Sequence, residues 1–448
     1  MYVDVEIISN NTYQHTLFTY KVPKQLLNKI SCGSIVSVPF RNKEYNAVVL
    51  SKSNTSNVNN IKFLNKYLNM TLDANQIKYL KQLAISNRLN IGILIHNLFD
   101  LSKFIKQKTL RNNKIENITL AKLEDIIKKN SKNVIFVPSL KIAKELNDKL
   151  STIAKINFFQ AFGGKEEFRD KYNKNFKNII LLNTNFEKIN LEEDTNYYFY
   201  DSNHPAWKMP KLNNLNMTEA AYLKQSIFGG SFCFINEFPN LEYHNSTYSY
   251  QAEHDYELEY FIDNSIKDCI NLYSHKHKNE HLNVYSNSPI EDIKYFSYAD
   301  KVTDSNLDAI LLVNPTIVTN NILNSYKVIY LLSILNHAKN NNIRTIVFST
   351  NDLDINKVLN SKSIDKWIKK EQDTRSKYGP SLLNKIFTFK SKELLKDVND
   401  KFLRGPIEVE GEYLYEINID FNKSYDYLEI MEMYQDLRNY DLNRARFI

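Results

Sequence analysis

The stretch from Leu17 to Val49 reads LFTYKVPKQLLNKISCGSIVSVPFRNKEYNAVV, and the rest of the chain is read outward from it. Leu17, Phe18 and Tyr20 form a strand that stops at Val22-Pro23, because proline has no N–H to give a central ladder. A short amphipathic segment around Leu26-Leu27 leads into a turn at Cys32-Gly33. Ile35-Val36-Ser37-Val38 is rich in β-branched residues and is expected to break at Pro39, and Ala47-Val48-Val49-Leu50 supplies a third apolar strand. Between the last two lies a polar tip, Phe40-Arg41-Asn42-Lys43-Glu44. Three short strands so close in sequence predict a small, twisted, barrel-like β unit with its basic tip exposed.

A chain of 448 residues is long for one core and implies about two to four domains. Its 43% of hydrophobic residues exclude a wholly disordered protein. Only nine glycines are present, which matters because loops that cradle phosphate are built on glycine. Cys32, Cys233 and Cys269 lie far apart, which argues for a reducing compartment and against a cysteine zinc site. No basic-plus-apolar leader opens the sequence and no apolar run reaches about 18 residues, so a soluble cytoplasmic protein without membrane contact is expected. Residues 1–115 hold 16 Lys/Arg against 5 Asp/Glu, a net +11, which leaves −4 for the remainder of a chain whose total is +7. A basic first quarter on a mildly acidic body points to an anionic partner, against the blander reading of a solvated lysine-rich surface.

After a polar link from Ser51 to Asn60, Ile61-Lys62-Phe63-Leu64 reads as a further short strand. Asp73 is a plausible N-cap for a helix over 76–87, and Ile91-Gly92-Ile93-Leu94 opens a second helix ending near Phe99. A basic linker, Lys103 to Lys114, follows. From Leu120 helices alternate with strands: helices through Leu123–Ile127 and Ile142–Leu150, a charged one from Lys165 to Tyr172, and one over 217–228. The strands between them are Asn133–Pro138, Ile156–Phe159, Ile179–Leu182, Tyr197–Tyr200 and Ser231–Ile235. This alternation predicts βαβ units and a mostly parallel sheet. A second α/β section carries strands Leu282–Tyr285, Ala309–Val313 and Thr345–Phe348 with a helix over 323–339. The last section has a helix around Trp367, a turn at Tyr378-Gly379-Pro380, strands Lys385–Phe389 and Tyr413–Ile419, and a helix over 424–440.

Several short motifs occur in an order that resembles one family. Phe18-Thr19-Tyr20-Lys21-Val22-Pro23, Gly33 to Arg41 and Ala47-Val48-Val49 are similar to FDY.VP, G.RV.VPFG and GIV of the replication-restart helicase PriA (primosomal protein N′) family, and Asn90 to Leu94 to its PIG.VL. Val134 to Leu140 resembles LVLVPEI, Asp201-Ser202-Asn203-His204 stands for DEEH, and Trp207-Lys208 for YK. Pro239-Asn240-Leu241-Glu242 is similar to PSLE, Arg375 to Pro380 to R..YPP, and Gly405-Pro406 and Gly411 to Tyr415 to GP and G.YRYQ. The resemblance implies a multidomain α/β protein. It would have a small barrel-like 3′-DNA-binding domain at 1–104, RecA-like parallel lobes at 105–250 and 251–355, and an α+β domain at 356–448.

Departures from the family pattern bear on activity. No GxxxxGKS/T string exists, and its place reads Asn117-Ile118-Thr119-Leu120-Ala121-Lys122 without a glycine. At DEEH only Asp201 and His204 remain, so the metal-binding and water-orienting carboxylate pair is missing. The SAT position reads Asn236-Glu237-Phe238, and the arginine-finger segment reads Ile334 to Asn341 with no arginine. The zinc-binding cysteine insertion is absent. Lys122, Asp201 and His204 are therefore degenerate ATPase positions, and neither ATP nor zinc is expected as a cofactor. Three histidines in His275-Lys276-His277-Lys278-Asn279-Glu280-His281 invite a metal reading, but interleaved lysines favour a solvated surface loop.

The resemblance implies a pocket for a 3′-terminal nucleotide, in which Phe18 and Lys62 match the family. Thr19 replaces an aspartate and Arg41 a glycine. Phe18 suits base stacking, against the alternative of a core aromatic. Arg41, Lys43, Lys62, Lys103, Lys106, Lys108 and Arg111 are the candidate phosphate contacts. The leading expectation is a motorless protein that binds forked or single-stranded DNA in replication restart. The alternatives are an active 3′-5′ helicase with an unorthodox nucleotide site, and a module binding primosome, replisome or single-strand-binding proteins.

Overall fold

The computed structural model describes residues 1–11, 17–99, 107–129, 131–158, 177–236, 258–262, 265–286, 290–296, 306–313, 325–349, 368–370, 372–374, 384–392, 394, 403–409, 411–421, 426–441 and 445–447. The expected charged helix at Lys165–Tyr172 and the turn at Tyr378-Gly379-Pro380 lie outside these residues, as do Lys103 and Lys106. Among the described residues no helix is long and apolar enough to cross a membrane.

Strands β1 (Tyr2–Ile7), β2 (Phe18–Lys21), β3 (Ser34–Phe40), β4 (Lys43–Ser53) and β5 (Lys66–Thr71) form an antiparallel sheet in the order β2-β1-β4-β3-β5. Alternation sends Val3, Val5, Tyr20, Val36, Val38, Ala47 and Val49 inward, where they are buried with Leu64. The chain between β4 and β5 then draws the two sheet edges together. Lys21 N–H donates to Lys62 O (2.9 Å), Leu64 N–H to Lys21 O (3.1 Å) and Asn65 N–H to Ser37 O (2.8 Å). The unit is thus barrel-like, but residues 61–64 form a crossing segment with a single bridge, Lys21 to Phe63, instead of the expected strand. Pro39 does not break β3 either. It pairs with Glu44 of β4 at a point where β3 has run past its pairing with β5, so no N–H is needed on that side.

Gly33 turns the chain with φ +87°, and a Cβ there would meet Leu72 O at 2.2 Å, so no other residue fits. Asp73 caps α1 (Ala74–Asn87) in a reciprocal capping box with Gln76. Helix α2 (Ile91–Leu98) follows and touches β1 so closely that a Cβ on Gly92 would meet Ile7 O at 2.2 Å.

The middle of the chain is a parallel sheet of β6 (Asn113–Ile118), β7 (Lys132–Val137), β8 (Asn157–Phe158), β9 (Asn178–Leu182), β10 (Thr195–Tyr200) and β13 (Gly230–Ile235). A small hairpin, β11 (Lys208–Met209) with β12 (Leu215–Asn216), interrupts the run, and the sheet order is β6-β13-β10-β7-β9-β8. Helices α3 (Leu120–Ile127), α4 (Leu140–Ser151) and α5 (Met217–Phe228) accompany it. The end of the supposed basic linker, from Asn113, is edge strand β6. Its polar alternation, Asn-Lys-Ile-Glu-Asn-Ile, hides it from a hydrophobicity reading.

A second parallel sheet has the order β14-β17-β16-β15 and comprises β14 (Leu258–Ile262), β15 (Leu282–Ser286), β16 (Ala309–Val313) and β17 (Arg344–Ser349). It carries α6 (Ile266–Lys276) and α7 (Ser325–Asn340). The C-terminal sheet is antiparallel, β19-β20-β18-β21, from β18 (Asn384–Ser391), β19 (Leu403–Val409), β20 (Glu412–Asp420) and β21 (Ala445–Phe447), with α8 (Tyr427–Asp441) against it. The chain is therefore a mixed α/β protein with two parallel sheets.

One hydrophobic core joins three of these parts. It contains Tyr79, Leu83 and Leu94 of α1 and α2, Phe136, Phe199 and Phe232 of the six-stranded sheet, and Ile417, Met431 and Tyr434 of the C-terminal part. Buried polar contacts set their register. The Tyr79 hydroxyl donates to Glu187, which also accepts from Lys224 Nζ (3.1 Å). Lys385 and Glu219 pair at 2.8 Å. On β1, Glu6 is 1% exposed and accepts from the Tyr427 hydroxyl (2.7 Å) and from Gly92 N–H (3.0 Å).

Burial pushes the Glu6 carboxyl up from 4.5 to about 7, in spite of those two donors. The folded state thus holds a proton that the unfolded state has released. Stability falls as pH rises from 4.5 to about 7 and is level above that, a loss of about 3 kcal/mol. Glu6→Gln is expected to flatten this slope in thermal melts across that window. An unchanged slope would show that Glu6 is not its source.

Candidate nucleic-acid interface

The two-residue turn between β3 and β4 gathers part of the predicted site. Arg41 and Asn42 both have positive φ (46° and 59°), the geometry of a type I′ hairpin that follows the sheet's twist. The tip is thus two residues, with Phe40 and Glu44 inside the strands. The Arg41 guanidinium lies over the Phe40 ring at 5.3 Å. Phe18, half-buried at the start of β2, sets its ring 4.8 Å from Phe40, and Phe40 is 5.9 Å from Tyr45. Phe18 is thereby both a core aromatic and a rim one: it packs against the barrel interior and keeps an exposed part beside the arginine. Lys43 is exposed and directly opposite Phe40 in the ladder.

Thr19 faces the other side of β2. Its hydroxyl donates to Asp4 Oδ1 (2.7 Å), and the Ser51 hydroxyl donates to Asp4 Oδ2. Register explains the grouping, since Asp4 pairs with Thr19 on β2 and with Ser51 on β4. A carboxylate therefore stands across the ladder from the position where the family pattern carries one. Asp4 escaped sequence reasoning because only strand pairing reveals the neighbour. The available signal was its polar side chain between inward-facing Val3 and Val5.

Lys62 is exposed at the other end of β2, where its carbonyl accepts from Lys21, three residues or about 10 Å along the strand from Phe18. Lys108 and Arg111 belong with the six-stranded sheet. Gln107 exchanges hydrogen bonds with Leu191, and the backbone N–H groups of Arg111 (3.0 Å) and Asn112 (2.8 Å) donate to Glu193. Those amides hold the Glu193 carboxyl below the usual carboxylate range.

At the degenerate ATPase positions, β6 ends at Ile118 and α3 begins at Leu120, so only Thr119 separates strand from helix. Its hydroxyl accepts from Lys122 N–H (3.4 Å) and caps the helix. Asp201 follows β10 with φ 51°; its N–H donates to Ile235 O, and its carbonyl accepts from His204 N–H (2.9 Å) and Trp207 Nε1–H (2.8 Å). His204 Nδ1 accepts from Ala206 N–H (3.0 Å). Ser202 is buried and accepts from Asn236 Nδ2 (2.6 Å).

The histidine run is partly helical. His275 closes α6, and His277 caps it, stacks on Tyr273 at 4.2 Å and pairs with Glu280 at 2.8 Å. Residues 277–281 lie past the helix, and five of the run's seven residues are exposed, so the run is the expected solvated surface segment apart from its helical start. Among the described residues no three His, Cys, Asp or Glu side chains form a group fit to hold a metal ion.

Residues 6–99 match the family model of the PriA 3′DNA-binding domain (3′BD), a span running from the end of β1 through α2. No curated protein sequence matches the chain. Among solved structures, the NS3-like helicase from Alongshan virus aligns at 10% identity over 53% of this chain and 58% of its own, with a TM-score of 0.26. This chain thus spans little more than half the length of that helicase. The Arterivirus nonstructural protein 10 helicase with DNA aligns at 8% identity over 72% of this chain and 73% of its own, with a TM-score of 0.31.

Arg41 occupies a backbone region that favours glycine, so Arg41→Gly relieves strain while removing the stacked guanidinium. Thermal or denaturant unfolding is expected to show unchanged stability or a gain of up to about 1 kcal/mol. A clear loss would mean that the contact with Phe40 outweighs the strain.

Proposed function

We propose that this chain is a PriA-like primosomal protein that grips forked or single-stranded DNA through its N-terminal barrel in replication restart. It acts as a scaffold without a motor of its own. The observation that carries the reading is the match of residues 6–99 to a DNA-binding family model, in a basic part of the chain. The rim formed by Phe18, Phe40, Arg41 and Lys43 combines ring faces with cations, the two chemistries that hold single-stranded nucleic acid. Asp4, held by Thr19 and Ser51 on the other side of β2 from Phe18, is a candidate acceptor for a sugar hydroxyl. Lys62, Lys103, Lys106, Lys108 and Arg111 extend the phosphate track.

In this reading 1–104 is the DNA-binding domain, 105–250 and 251–355 are RecA-like lobes that have lost catalysis, and 356–448 is the C-terminal domain. Support for the loss is chemical. A phosphate cradle needs several consecutive backbone N–H groups in a glycine-rich loop, whereas a single residue joins β6 to α3 and its side chain already caps the helix. Asp201 also lacks the neighbouring glutamate with which it would share Mg²⁺ and water. Primosome, replisome or single-strand-binding proteins are the protein partners that such a scaffold would serve.

Fluorescence anisotropy with a labelled fork is expected to show affinity falling steeply with salt, by about 0.7–0.9 in the slope of log K against log salt for each phosphate contact. Arg41→Gly should lower that slope by about one such step. Titration calorimetry with Mg²⁺-ATP should give no heat, and Asp201→Ala should leave DNA binding intact. DNA-stimulated ATP turnover abolished by Asp201→Ala would overturn the scaffold reading, and salt-independent binding would overturn the phosphate track.

A further inference from the structure

Phe63 is 52% exposed, although a ring of that size is ordinarily drawn into a core. Its neighbours hold it there. Leu64 is 2% exposed inside the barrel, and hydrogen bonds from Lys21 to Lys62 and from Leu64 to Lys21 pin the backbone on either side. Because adjacent residues of an extended chain point opposite ways, Leu64 inward requires Phe63 outward. The Lys21 ammonium lies 5.3 Å from the Phe63 ring centroid. From Ser51 to Leu72 the chain holds Lys52, Lys62 and Lys66 and no Asp or Glu.

From this juxtaposition of a fixed, outward ring and the Lys21 ammonium, we propose that Phe63 is a second stacking site for an unpaired base of single-stranded nucleic acid, with Lys21 on an adjoining phosphate. The inference rests on the DNA-binding reading above and adds a contact at the opposite end of β2 from Phe18. Size and charge select the occupant. Among the described residues of the barrel unit, Phe63 and Val58 are the exposed large apolar side chains, far less than the roughly 800 Å² per partner of a stable protein interface. One ring face bordered by a cation matches one base with its phosphate, and stacking on such a ring is sequence-tolerant.

The test uses the full chain, a labelled oligothymidylate and a duplex of the same length, with Phe63→Ala, Phe63→Leu and Phe63→Trp. Phe63→Ala and Phe63→Leu are expected to weaken single-strand binding about tenfold and duplex binding little. Phe63→Trp should bind like the parent and show an emission change on binding that the parent, with its own tryptophans, lacks. Equal single-strand affinity of parent and Phe63→Ala, or an unchanged Phe63→Trp signal at saturation, overturns this site alone. A parent that binds neither DNA overturns the DNA-binding reading and this site with it. Melting curves that match the parent show that the variants are folded.

Discussion

Glu187 and Lys224 are each 5% exposed, and neither charge is tolerable there without the other. Their 3.1 Å contact is completed by the Tyr79 hydroxyl and by the Phe186 ring, 4.6 Å from the Lys224 ammonium. A buried pair of this kind adds little net stability against an apolar substitute, because desolvation offsets the Coulombic gain. What it does impose is geometry. Tyr79 reaches Glu187 only if α1 lies at one position along the six-stranded sheet, and α1 in turn fixes the barrel through α2 and β1. Glu6 with Tyr427 repeats the device between β1 and the C-terminal helix.

Where a segment's periodicity followed from burial on one or both faces, it was legible. The apolar runs Val134–Val137, Ile179–Leu182 and Ala309–Val313 are central strands of parallel sheets, buried on both sides, and their lack of alternation is the signature of that setting. The Asp73 cap was legible for a local reason, since its partner Gln76 is three residues away. Some edge strands were not, although β2, β8 and β15 at other sheet edges were. β6 and β19 each have one paired side among the described strands and mix polar with apolar residues, so their hydrophobic signal is weak. Residues 61–64 erred the other way, because an apolar pair at 63 and 64 looks like a strand whether or not its backbone finds a continuous partner.

The candidate site shows the same division. Arg41 and Lys43 stand two residues apart and meet at one hairpin end, as a short loop requires, while Phe18 joins them from β2 through its ring contact with Phe40. Asp4 joins Thr19 from a strand whose intervening chain length says nothing of pairing, and register alone brings them together. The φ of Arg41 also could not be read from residue type, since arginine seldom adopts it. A glycine would sit without strain at that position, because the turn holds φ in the left-handed region.

The core shared by α1, α2, the six-stranded sheet and α8 has a practical consequence for dividing the chain. A fragment cut after residue 99 would keep the barrel's own interior but bare Tyr79, Leu83 and Leu94 to water, and would leave Glu6 without the Tyr427 hydroxyl. Such a fragment carries a ready-made adhesive face, and its self-association could be mistaken for a property of the native protein. The barrel is a unit of sequence and of topology, yet the cover of its apolar face comes from parts of the chain as far off as its C-terminal helix.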